Sequence, residues 1–234
     1  MKIALIGYGA MGKLVHTLAK EKGHEIGVII DDGDANLFPG EVGEKLAGCD
    51  AAIDFTVGMA VRRNVEACVM ARVPVVVGTT GWMEERSLIE NIVLEGNGAM
   101  VYGANFSIGV NLFYRIAEFA AEILAGFPEY EVFIEEQHHS RKKDAPSGTA
   151  LRIKEIVSKH VPVDDIAATR AGNIPGTHRI GFDGHADQIL LTHTARSREG
   201  FALGAITAAE WIIGKRGFFE FSDLMADVIK IDGK

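Results

Sequence analysis

Between Glu136 and Ala150 the chain reads Glu-Gln-His-His-Ser-Arg-Lys-Lys-Asp-Ala-Pro-Ser-Gly-Thr-Ala. Two adjacent imidazoles, His138 and His139, and three consecutive cations, Arg141, Lys142 and Lys143, lead into the small-residue turn Pro146-Ser147-Gly148-Thr149. Proton donors that run into a helix N-terminus can bind an anion and protonate it. The helix start presents backbone N–H groups with no partner inside the helix, at the positive end of its dipole. Pro146 suits a helix start and Ser147 can cap one, which offers the amides of Gly148 and Thr149 to a ligand.

A metal site is the other chemistry open to His138 and His139. Neighbouring strand residues point to opposite faces, so they chelate one ion poorly. No third Cys or His stands at ligand spacing nearby, and the expectation is no metal.

These residues need positioning elements on both sides. The apolar run Tyr130 to Ile134 predicts a strand before them, and Ala150 to Val157, running on to His160, predicts a helix after them. Ahead of that strand, Ile108 to Leu124 carries apolar residues at helical spacing. Behind the helix, His178–Phe182 and Gln188–His193 read as two more strands. The pattern predicts a small mixed sheet with one layer of helix, whose other face packs on another subunit.

The first hundred residues follow a different grammar. Lys2 to Ile6 reads as a buried strand, followed by Gly7-Tyr8-Gly9-Ala10-Met11-Gly12 and a helical pattern from Lys13 to Lys22. Gly7 allows a tight turn, Gly9 lets a pyrophosphate approach, and Gly12 lets the helix pack on the strand. A second strand, Glu25 to Ile30, ends in Asp31, where the ribose of a dinucleotide needs an acceptor. Asp31 and Asp32 accept hydrogen bonds from ribose hydroxyls but repel a 2′-phosphate, and no Lys or Arg occurs between Asp31 and Gly40. The expected cofactor is NADH in preference to NADPH.

Strands Ala51–Thr56, Pro74–Val77 and Ala99–Tyr102 alternate with helices Gly58–Ala71 and Trp82–Leu94. The strands end in Gly78-Thr79-Thr80 and Gly103-Ala104-Asn105-Phe106, at the sheet edge where such folds bind ligands. The expected fold class is therefore α/β, a Rossmann-type doubly wound parallel sheet, with a second α+β domain built on an open mixed sheet. Gly200 to Gly214 reads as a helix, and Phe218 to Phe221 with a short helix from Ser222 to Ile229 closes the chain, a tail expected to return to the first domain. The boundaries expected are 1–106 with 205–234 for dinucleotide binding, and 107–204 for substrate binding and oligomerisation.

Composition narrows the class. A net charge of −8 argues against a nucleic-acid surface and makes the local cations of 138–143 more telling. No apolar run reaches membrane-spanning length, and Met1 leads straight into a strand rather than a signal peptide. Two cysteines, Cys49 and Cys68, suit a reducing cytoplasm.

The run His138-His139-Ser140-Arg141-Lys142-Lys143-Asp144-Ala145-Pro146-Ser147-Gly148-Thr149-Ala150 resembles the HHxxKxDxPSGTA pattern of the dihydrodipicolinate reductase family, also called 4-hydroxy-tetrahydrodipicolinate reductase. The resemblance extends through Gly7–Gly12, Asp54-Phe55-Thr56, Gly78–Thr80, Ala104–Asn111, Leu191-Thr192-His193, Ser197-Arg198 and Phe201-Ala202, nearly the whole chain. The glycine loop is one residue shorter than that of many members, and Asp32 stands where some relatives carry Arg.

The resemblance implies NAD(P)H-dependent reduction of a cyclic, unsaturated dicarboxylate in lysine and diaminopimelate synthesis, with NADPH possible alongside NADH. It implies His138 as proton donor/acceptor, Lys142 as proton donor, His139 as a substrate contact, and Gly148 and Thr149 as the carboxylate-binding pair. It places Gly7, Tyr8, Gly9, Ala10, Met11, Gly12, Asp31, Gly78, Thr79, Thr80, Gly103, Ala104, Asn105 and Phe106 along the cofactor, and it implies a cytoplasmic homotetramer. Two other readings stand beside it: a related reductase of another small carboxylate, and a catalytically silent NADH-binding sensor.

Overall fold

A computed structural model describes residues 1–229 as two compact units. The first comprises residues 1–107 and the segment that begins at Glu199; the second is Ile108–Arg198.

In the first unit, β1 (Lys2–Ile6), α1 (Ala10–Glu21), β2 (Glu25–Ile30), α2 (Pro39–Leu46), β3 (Ala51–Asp54), α3 (Gly58–Ala71), β4 (Val75–Val77), α4 (Arg86–Glu95) and β5 (Ala99–Tyr102) follow one another. In the second, the order is α5 (Ile108–Leu124), β6 (Glu131–His138), α6 (Gly148–Val157), β7 (Ile166–Arg170), β8 (Thr177–Asp183) and β9 (Gln188–Thr194). The chain then returns to the first unit with α7 (Glu199–Ile212), β10 (Gly217–Glu220) and α8 (Phe221–Val228). The return falls at Glu199 and not at 205, because α7 is one continuous helix and a boundary at 205 would cut it.

The first sheet is parallel throughout, in the order β10-β5-β4-β3-β1-β2. Every residue of β3 and β4 is buried, which is why these strands read as unbroken apolar runs rather than alternating ones. The chain passes from β1 to β2 on one side and to β3 on the other. The reversal of winding at β1 opens a crevice at the carboxyl ends of β1 and β3, where folds of this kind bind ligands.

The second sheet has the order β7-β6-β8-β9, with β6 parallel to β7 and antiparallel to β8. Ile134, Ile180 and Phe182 pack with Phe113, Ala117 and Ala121 of α5 and with Ile153 and Val157 of α6. The other face carries the Arg179–Glu135 ion pair at 2.9 Å and the Thr177–Thr194 hydroxyl pair at 3.2 Å, with Leu190 exposed.

Four elements depart from the sequence reading. Strand β6 runs to His138 instead of stopping at Ile134, because its inward positions continue as Glu136 and His138, polar groups that a hydrophobic pattern passes over. Helix α6 starts at Gly148, two residues earlier than its apolar periodicity shows. Helix α2 and strand β7 had no counterpart in the reading: α2 contains two glycines, and β7 has no buried residue.

Gly204 shows how tightly α7 sits in the first unit. A Cβ there would overlap the carbonyl oxygen of Phe106, whose ring packs at a tilt against Phe221, centroids 4.7 Å apart. Substituting Gly204→Ala is expected to lower the unfolding free energy by about 2–3 kcal/mol, measured by urea denaturation.

Candidate active site

The first unit holds the glycine turn. The Gly7 N–H donates to Ile30 O at 2.8 Å, and Gly7 has a φ of +88°, which a side chain at that position would strain. A Cβ on Gly12 would overlap the Gly7 carbonyl oxygen, so Gly12 is what lets α1 lie against the turn. Gly9 is the N-cap of α1, has open space where a Cβ would sit and makes no side-chain cap, and the first turn of α1 carries no acid. A helix start built this way fits the pyrophosphate of a dinucleotide. The Tyr8 N–H donates to Asp31 Oδ1 at 3.0 Å, which ties the glycine turn to the end of β2.

Behind the turn lies a buried polar network. Asp54 ends β3 and is fully buried. Its Oδ1 accepts from Thr56 N at 2.9 Å, Thr56 Oγ1 at 2.7 Å and Thr79 Oγ1 at 2.8 Å, and its Oδ2 from Asn64 Nδ2 at 2.9 Å. Burial pushes this carboxyl up against those hydrogen bonds. Arg63 extends the network: Nε and Nη2 donate to Asn64 Oδ1, and Nη1 to the carbonyl oxygens of Asp34 and Ala35. Residues placed along the cofactor by sequence therefore divide. The Thr79 hydroxyl and the Phe106 ring face inward, Thr80 and Ala104 are exposed, and Gly78 and Gly103 lie beside Phe55 and Phe221, respectively. Asn105 Oδ1 accepts from Ser107 N at 2.9 Å, fixing the turn after β5.

The second unit gathers the acid–base groups. Glu136, His138, Ser147 and His178 are all buried. Glu136 Oε1 accepts from Ser147 N at 2.9 Å and from Arg170 Nη2 at 2.6 Å; Arg170 Nη2 also reaches Asp144 O at 2.5 Å. Glu136 Oε2 lies 3.1 Å from His138 Nδ1 and 3.7 Å from His178 Nε2, without hydrogen-bond alignment to either. Ser147 Oγ accepts from Ala150 N at 3.2 Å as the cap of α6 and contacts His178 Nε2 at 3.2 Å.

The start of α6 is thus partly used by the protein itself. Among the described residues, the Gly148 amide donates to no protein group, and nothing lies within 4 Å of a Cβ built there. The Thr149 side chain hydrogen-bonds Tyr114 of α5. Lys142 Nζ pairs with Asp144 Oδ1 at 2.9 Å, with a quarter of its side chain exposed. His139 is half-buried, with an unpartnered Nδ1, and Arg141 reaches Asn173 at 2.9 Å.

Two family models cover almost all of this architecture. The one for the N-terminus of dihydrodipicolinate reductase matches residues 1–106, and the one for its C-terminus matches residues 109–225. The chain belongs to the dihydrodipicolinate reductase family. It is 38% identical to the 4-hydroxy-tetrahydrodipicolinate reductase of Christiangramia forsetii, over 98% of this chain and 100% of that protein. It is 34% identical to the enzyme of the same name from Natronomonas pharaonis, over 95% of this chain and 99% of that one. Among solved structures, the dipicolinate-bound dihydrodipicolinate reductase of Paenisporosarcina sp. TG-14 has the same fold, with a TM-score of 0.76 at 22% identity over 94% of this chain and 97% of that one. The chain is accordingly an oxidoreductase, and its function is the NAD(P)H-dependent reduction of 4-hydroxy-tetrahydrodipicolinate in lysine biosynthesis.

In this reductase the sequence reading missed Arg170 and His178, and it gave Glu136 no part. The signal for Glu136 was its place two residues before His138, at an inward position of a strand. His178 and Arg170 left no signal, because only the sheet register brings β8 and β7 against β6. That register also revises the argument about metals. Glu136, His138 and His178 each place a ligand atom within 4.8 Å of the others, so a third ligand does stand near His138. The Arg170 guanidinium already neutralises Glu136, which weighs against a divalent ion there.

Burial pushes the His178 imidazole down to about 4, helped by the charge of His138 and opposed by Glu136. Burial also lowers His138 and His193. A histidine depressed below its ordinary 6.5 keeps its full contribution to stability above that pH and loses it as the pH falls toward the folded value. The His178 share of this loss should be about 2 kcal/mol between pH 6.5 and 4.5. Urea unfolding at the two pH values, compared with His178→Gln, measures it; the variant should show a flatter dependence.

Proposed function

We propose that the second unit binds a carboxylate of the substrate at Gly148 and Thr149, with His139 contacting it, and that Lys142 and His138 handle the proton. The observation that carries this reading is the open Gly148 amide at the start of α6, next to the loop that holds Lys142 and follows His138 at the end of β6. A dicarboxylate needs backbone donors or cations for each acid group, and a helix start supplies one set without a side chain. The nicotinamide supplies the hydride, and the proton goes to the neighbouring carbon. Lys142, held by Asp144, is the donor. His138 is buried and its imidazole lowered, which suits a neutral group that accepts and returns a proton. Lys142→Ala and His138→Ala should each reduce kcat by roughly two orders of magnitude, with little change in cofactor binding. Wild-type kcat in both variants removes the acid chemistry.

The cofactor lies along Gly7–Gly12, Asp31, Gly78–Thr80 and Gly103–Phe106, and NADH is the preferred form. No cation is free for a 2′-phosphate among the side chains seen to reach the 31–36 loop: Lys45 pairs with Asp34, and Arg63 is taken up by Asn64 and two carbonyl oxygens. The kcat/KM for NADH should exceed that for NADPH; a tenfold preference for NADPH overturns the assignment. The enzyme is proposed to work in the cytoplasm as a homotetramer assembled through the face of the second sheet that α5 and α6 leave uncovered. No described helix is long and apolar enough to cross a membrane.

A further inference from the structure

The side chain of Glu136 has no solvent exposure, although the fold does not need a charge there. Its strand neighbour Ile134 and the cross-strand Ile180 occupy the same face and pack as ordinary core. Removing a carboxylate from water costs several kcal/mol unless donors surround it. The donors it has recruited come from two places: the backbone of Ser147 before α6 and the guanidinium of Arg170 on β7. One oxygen, Oε1, takes both. The other, Oε2, is left facing His138 Nδ1 and His178 Nε2.

We propose that Glu136 is a positioning residue for the reduction, fixing the His138 ring through Nδ1 with one oxygen and the Ser147 turn that opens α6 with the other. A single carboxylate then sets the spacing between the proton-handling imidazole and the helix start that receives the substrate. Neutral His138 with its proton on Nδ1, toward Glu136, keeps Nε2 as the basic nitrogen. Nε2 is the edge beside Gly176, where an added Cβ would come within 3.2 Å of it. The inference rests on the proton-handling role given to His138 above.

Burial would raise the Glu136 carboxyl, but hydrogen bonds from Ser147 and Arg170 and the nearby His138 leave it below the usual carboxylate range, so it is charged throughout the working pH range. The groups facing His138 are Glu136 on β6, Arg170 on β7, His178 on β8, and Lys142 and Asp144 in the loop before α6. Of these, Glu136 is the one with a carboxylate oxygen 3.1 Å from Nδ1.

Glu136→Gln separates this role from a purely structural one. The amide oxygen of Gln can still accept from Ser147 N and Arg170, so the turn before α6 keeps its bonds. The amide N–H₂ then faces His138 Nδ1 and forces the proton to Nε2. Ring ¹⁵N and ¹H NMR of the full chain without substrate should show His138 changing tautomer and titrating about one pH unit lower. Steady-state kinetics should show kcat reduced tenfold or more, with the substrate KM within about twofold of wild type. An unchanged tautomer and titration, or a wild-type kcat, overturns the proposal. Glu136→Asp, which keeps the charge, should recover part of kcat. It also decides the matter if the Gln variant does not fold: a folded Asp variant with wild-type kcat and an unmoved His138 resonance overturns the proposal, whereas a lowered kcat with a displaced resonance supports it. The ring measurements need no assumption about chemistry. If Glu136→Gln moves the His138 titration while His138→Ala retains wild-type kcat, the positioning stands and the proton-handling role fails.

Discussion

A carboxylate cannot be taken out of water without donors to meet it, and that constraint shapes both units. Asp54 closes β3 and Glu136 lies near the end of β6, each buried at the carboxyl end of a strand. Each gathers groups both from its own neighbourhood and from segments distant in sequence. Asp54 draws in Thr56, Asn64 and Thr79; Glu136 draws in Ser147, Arg170 and the edge of His138. The segments that follow β3 and β6 are thereby held from beneath by a buried acid.

The two acids serve different ends because their surroundings differ. Asp54 has neutral donors and no cation bonded to it, so burial governs its proton and raises its pKa. Glu136 has a guanidinium at 2.6 Å and a backbone N–H at 2.9 Å, and it stays charged. The first behaves as a tie between strand ends. The second brings negative charge to two histidines and to the turn that opens α6. Helix starts do comparable work in both units: α1 begins at an uncapped Gly9 and α6 at an exposed Gly148, each at the carboxyl side of a strand.

Much of this was legible in the residues alone. The glycine turn after β1, Asp31 at the end of β2 and the alternation of strands and helices specify a doubly wound sheet, because turn chemistry and hydrophobic period are local properties. The His138–Ala150 motif was equally legible, since donors, cap and helix start are contiguous. Local patterns failed where the inward face of an element is polar or the element is short. The end of β6 looked like loop because Glu136 and His138 replace apolar residues, and α2 and β7 lack a clear period.

The sequence by itself determined the fold class, the glycine turn after β1 and the contiguous run of imidazoles, cations and helix cap from His138 to Ala150, because each depends on residues close together in the chain. Only the tertiary structure decided that Glu136 is buried against Arg170 and His178, that part of the α6 start is taken by Ser147 and Glu136, and that Arg63 and Lys45 are spent on the loop after Asp31. Those contacts join residues of different strands and helices. Their energies depend on sheet register and on exclusion of water, and neither exists before the chain has folded.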